Sequence, residues 1–131
     1  MSLIVALIIA TATPQTGAGI TYKNVAYGPS KLMICDWFWN FENSRFDRCR
    51  TEDGRLVTIE DGASIDCLRR SCEQLDAQAR RVANWKKAEP VWGEFSVRLY
   101  GRVSAQQRPK RYLGDGTRTV LIEKLVSVRK R

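Results

Sequence analysis

Two groups of side chains in this 131-residue chain have the types and spacing to do chemistry. One is the set of four cysteines, Cys35, Cys49, Cys67 and Cys72. The other is a cationic cluster around a tyrosine, Arg108, Lys110, Arg111 and Tyr112. Thiols can form disulfides, bind zinc or exchange electrons. Structural zinc sites carry close ligand pairs, whereas 13 residues separate Cys35 from Cys49 and four separate Cys67 from Cys72. No Cys-x-x-Cys is present for thiol redox work. Disulfides are the expected state, and no metal or cofactor is called for. The chain has no histidine, which removes Ser-His-Asp and Cys-His pairs, imidazole ligands and a base titrating near neutrality. The carboxylate pairs Glu52-Asp53 and Glu60-Asp61 sit beside turn glycines, and Gly114-Asp115-Gly116 is turn chemistry rather than a phosphate cradle. The residues favour a binding protein over an enzyme.

The cysteines also imply a compartment. Leu3 to Ala12 is an apolar run too short to span a membrane, and Ala10-Thr11-Ala12 has the small-x-small form of a cleavage site. Residues 1–12 are therefore read as a signal peptide, 13–19 as a linker and 20–131 as one disulfide-stapled domain, exported and either periplasmic or secreted. The expected pairs are Cys35 with Cys49 across a hairpin and Cys67 with Cys72. In a straight helix, residues five apart are rotated by about 140° and lie about 7.5 Å apart along the axis, so Cys67 and Cys72 cannot bridge within one. Ser71-x-x-Gln74 has the form of a capping box, and a helix starting there leaves Cys67 outside and the bridge feasible.

Charge is divided unevenly. Up to Leu68 there are six Lys/Arg against eight Asp/Glu, and from Arg69 onward sixteen against six, for a net charge of +8 overall. A one-sided positive field attracts acidic macromolecules, nucleic acid among them, although it also serves solubility. Cations beside a ring suit a polyanion, with charges for the backbone and a face for stacking. Arg108, Lys110, Arg111 and Tyr112 are the expected ligand-binding residues, with Arg98 and Arg102 nearby.

These side chains must be held by a framework. Ile20–Tyr27 reads as a strand, and Lys31–Phe41 as a buried one with Trp37, Trp39 and Phe41 on one face. That aromatic ladder suits a core strand, a stacking platform, or an edge that docks an envelope protein. Arg45–Thr51 and Arg55–Ile59 follow as strands joined at Glu52-Asp53-Gly54. From Ile65 to Val82 apolar residues recur at spacings of three and four, mostly as in an amphipathic helix, which should end before Pro90. Glu94–Ser104, with Gly101 allowing a bulge, and Thr117–Val128 are long strands flanking a polar loop, and Arg129-Lys130-Arg131 reads as a basic tail. This order resembles the OB-fold, a five-stranded Greek-key barrel with one helix between its third and fourth strands. The alternative is an open antiparallel sheet packed by one helix. If the resemblance holds, the loop with Arg108, Lys110, Arg111 and Tyr112 flanks the ligand face.

Overall fold

The computed structural model describes residues 18–40, 43–112 and 114–131. The signal peptide expected over 1–12 and most of the linker expected over 13–19 lie outside the described residues, as does Phe41. The expected strand Ile20–Tyr27 is a hairpin of β1 (Ile20–Tyr22) and β2 (Val25–Tyr27). Its two turn residues, Lys23 and Asn24, both take positive φ, the geometry that matches the twist of a two-residue hairpin. The next strands are β3 (Lys31–Trp39), β4 (Ser44–Thr51), the two-residue β5 (Leu56–Val57) and β6 (Ala63–Cys67). Helix α1 (Ser71–Val82) leads to β7 (Gly93–Val103) and β8 (Arg118–Lys130).

Five strands close a ring: β3 pairs with β7, β7 with β8, β8 with β6, β6 with β4, and β4 again with β3. The β6–β8 pairing is parallel and the others are antiparallel. The sheet is thus not open, and β5 is a short addition to the edge of β4. Among the described residues the fold is small and β-rich, with one helix, after the third strand of the ring. Inside lie Met33, Phe46, Phe95, Leu99, Val120 and Ile122, all without solvent exposure.

Bulges keep this interior apolar where the sequence departs from period two. In β4 the buried residues Phe46 and Cys49 are three apart, and the register skips Asp47 opposite Asp36 and Trp37. In β8 the buried Ile122, Leu125 and Val128 are each three apart, and skips at Glu123 and Val126 turn all three inward. One skip lies beside Gly101, where a Cβ would come within 2.7 Å of the Leu121 carbonyl oxygen. The extra residue is thus Glu123 on β8, opposite Gly101, whose missing Cβ lets the Leu121 backbone approach β7.

Three expectations about length need correction. Arg55–Ile59 yields only β5, because only Leu56 and Val57 pair with β4. The helix does not begin at Ile65: Ala63–Cys67 is a strand paired with Arg118–Ile122, and cross-strand pairing overrides the three-four spacing there. α1 starts at Ser71, whose hydroxyl donates backward to the Leu68 carbonyl (2.8 Å) rather than capping the helix. It ends at Val82, well before Pro90, in a Schellman motif: Trp85 N–H donates to the Arg80 carbonyl and Asn84 N–H to that of Arg81, with Asn84 at φ 51°. Finally, Arg129 and Lys130 belong to β8, so most of the expected basic tail is part of the sheet.

Both expected disulfides are present. Cys35 and Cys49 face each other directly across β3 and β4. Cys67, at the end of β6, reaches Cys72, the second residue of α1, across a Cα separation of 5.6 Å. No described cysteine is free, which points to an oxidising, extracytoplasmic environment. Among the described residues no helix is long and apolar enough to cross a membrane.

Candidate functional site

The loop between β7 and β8 folds back over the start of β6 and β8. Arg108 N–H donates to the Thr117 carbonyl (2.7 Å), and Gly116 passes so close to β6 that a Cβ would lie 2.6 Å from the Ala63 Cα. Asp115, only 3% exposed, anchors the turn. It accepts from the Ser64 hydroxyl, from Gly116 N–H (3.1 Å), and from Arg111 through both its backbone N–H (3.2 Å) and its Nε (2.9 Å). The Arg111 guanidinium holds the Asp115 carboxyl well below the usual carboxylate range, against the opposing effect of burial.

Most of the expected ligand-binding cations are engaged within the protein. Lys110 Nζ lies 2.9 Å from Asp61 and lowers the pKa of that carboxyl, chiefly through its hydrogen bond. Arg102, with a side chain 14% exposed, approaches Glu123 at 3.0 Å without hydrogen-bond alignment and donates through Nη1 to the Ala18 (2.7 Å) and Gly28 (3.1 Å) carbonyls. It ties the β1–β2 segment to the ring. Arg98 pairs with Glu52 on the outer face of the sheet, away from the loop. The structure thus brings Arg108, Lys110, Arg111 and Tyr112 together and places Arg98 and Arg102 elsewhere. Within the cluster, Arg108 is exposed and enters no ion pair among the described residues, and the Tyr112 ring is exposed.

A broader basic surface was missed by sequence reasoning. Strand register places Arg48, Asp36, Ser96 and Arg129 in one outward row across β4, β3, β7 and β8, and Arg50, Ile34, Arg98 and Ser127 in the next. At about 4.8 Å between strands and about 7 Å between alternate residues, these rows make a patch of about 14 Å by 7 Å. Asp36 is buried at its centre, 3.5 Å from Arg48 Nε, 3.9 Å from Arg50 Nη1 and 3.8 Å from Arg131 Nη1. One carboxylate therefore gathers three guanidinium groups, each more than two-fifths exposed. Lys124 and Arg129 add exposed cations without an ion pair among the described residues. The available signal was the shared parity of Arg48 with Arg50 and of Arg129 with Arg131. Counting charge by chain halves hid it, because β4 lies in the acidic half.

The aromatic strand is divided between core and surface. Trp37 is 2% exposed, donates its indole N–H to the Ser44 hydroxyl (2.9 Å), and stacks on Trp39 with ring centroids 4.9 Å apart. Trp37 is thus a core residue and not a stacking platform. Half-buried Trp39 lines, with Ile65, Cys72 and Leu75, an apolar cavity of about 270 Å³ beside α1. No protein-family model, curated protein or solved structure matches the chain.

Proposed function

We propose that the protein is a non-enzymatic binding module, exported to the periplasm or secreted, that takes an acidic macromolecule across the outer face of β4, β3, β7 and β8. The observation that carries this reading is the gathering of Arg48, Arg50 and Arg131 around buried Asp36, with Arg98 and Arg129 in the same two rows. Drawn toward a common carboxylate at 3.5 to 3.9 Å, these guanidinium groups stay exposed to a ligand, and a planar fork suits phosphate, sulfate or carboxylate groups. Contacts of this type go to a charged backbone and carry no sequence information, so the ligand is recognised as a polyanion. Ring closure by five strands with one helix after the third supports an OB-like reading of the fold, an architecture that serves oligonucleotide and oligosaccharide binding.

A fluorescence-anisotropy titration with a labelled oligodeoxythymidylate and a heparin-derived oligosaccharide tests the assignment. The combined Arg48→Gln, Arg50→Gln and Arg129→Gln variant is expected to lose about tenfold or more in affinity, while Arg108→Gln binds as the parent does. Equal affinity of the triple variant and the parent would remove the sheet face from the account. The second reading is docking of an envelope protein at the Trp39 cavity, favoured by its apolar lining. In the same titration Trp39→Ala should leave polyanion affinity unchanged. A loss confined to Trp39→Ala would favour the aromatic site instead.

A further inference from the structure

Beneath the β7–β8 loop lies a cavity of about 410 Å³, lined by Ser64, Ser104, Arg108, Asp115, Thr117 and Thr119 among others. Its volume is in the range of small-molecule sites. Its polar side chains are the cations Arg108, Lys110 and Arg111, hydroxyls that can both donate and accept, and a single carboxylate. The one lining carboxylate, Asp115, has both oxygens occupied, Oδ1 by Ser64 and Gly116 and Oδ2 by Arg111. Ser104 Oγ accepts the Thr119 N–H (2.9 Å) and keeps its own proton to give. Thr117 Oγ1 is buried and has no hydrogen-bond partner among the described residues. A buried polar group without a partner is rare and costly in a folded protein, and a ligand that accepts its proton removes the cost. The exposed Arg108 also lines the cavity and enters no ion pair among the described residues.

We infer that this cavity is a second site, separate from the basic sheet face, for a phosphate or sulfate group carried on a sugar-sized molecule. Hydroxyl protons from Ser104 and Thr117, together with the Arg108 fork, offer donors to an oxyanion. The cavity has room for the attached ring beside it. A neutral sugar is disfavoured because it offers no negative charge to the Arg108 guanidinium, and Asp115, already saturated, has nothing left to accept from its hydroxyls. A cation is disfavoured by Arg108, Lys110 and Arg111.

Calorimetric titration of the whole chain with glucose 6-phosphate, glucose and inorganic phosphate tests the inference. Glucose 6-phosphate is expected to bind, glucose to bind at least about tenfold more weakly, and Thr117→Val and Arg108→Gln each to weaken glucose 6-phosphate about tenfold. Inorganic phosphate matching glucose 6-phosphate would support the oxyanion site and assign it to the free ion. Thr117→Val is close in shape and removes an unsatisfied hydroxyl, so its melting temperature should not fall, which separates lost binding from lost folding. Absence of glucose 6-phosphate binding, equal binding of glucose, or affinity untouched by both variants would overturn the inference. So would loss of binding in Arg48→Gln/Arg50→Gln, which would move the ligand to the sheet face. An intact site in that double variant leaves the two proposals to stand or fall separately.

Discussion

Two buried aspartates organise the cationic side chains, and they do so in different ways. Asp36 gathers exposed arginines from β4 and the end of the chain and leaves their outer faces to solvent. Asp115 instead accepts from Arg111 through its backbone N–H and its Nε and fixes a turn, while most of the Arg111 side chain stays exposed. The pH dependence of Asp115 follows with a definite sign. Its carboxyl titrates near 3.8 when unperturbed and well below that in the folded chain, so its stabilising contribution is complete above the unfolded value and is lost as pH falls toward the folded one. Asp115→Asn is expected to cost about 1–3 kcal/mol at neutral pH, the cost typical of leaving buried partners unsatisfied. In urea unfolding measured at a series of pH values, the gap between variant and parent should shrink below about pH 4. A gap constant from pH 7 to pH 2 would contradict the role given to Asp115.

At the scale of elements, the disulfides tie different kinds of junction. Cys35–Cys49 joins neighbouring strands inside the ring, whereas Cys67–Cys72 fixes the passage from β6 into α1. Loop-closure entropy gives about 3 kcal/mol for the longer loop and about 2 kcal/mol for the shorter. Paired Cys→Ala replacement at 35 and 49 should therefore lower the urea midpoint more than replacement at 67 and 72, and the reverse order would contradict this ranking. The position of Cys72 also shows what the sequence could reveal. Helical geometry excluded an in-helix bridge, so the favoured Cys67–Cys72 pairing, as against one crossing the fold, required a helix boundary between them, and α1 begins at Ser71. β6 was not legible, because Ile65 and Leu68 continue the helical spacing by coincidence and only pairing with β8 distinguishes a strand there. Asp47 was equally opaque: its bulge sets the facing of Arg48 and Arg50, and nothing local in Asp47-Arg48 announces it. The loop cluster was legible as neighbours in sequence. Its neutralisation by Asp61 and Asp115 was not, since Asp61 lies 49 residues from Lys110.

For the whole molecule, the +10 of the second half and the −2 of the first do not remain separate in space. The closed ring interleaves β4 from the acidic half with β7 and β8 from the basic half, so that cations from both meet on one surface. The central claim is that this surface binds a polyanion by displacing counterions. Its most direct test is the salt dependence of oligodeoxythymidylate affinity, measured by anisotropy from about 50 to 200 mM NaCl. With four or five arginines each meeting a phosphate, the logarithm of the association constant should fall with the logarithm of salt concentration with a slope of about −3, and the slope should flatten in Arg48→Gln/Arg50→Gln/Arg129→Gln. A slope near zero in the parent, or the same slope in parent and variant, would contradict polyanion binding by this face.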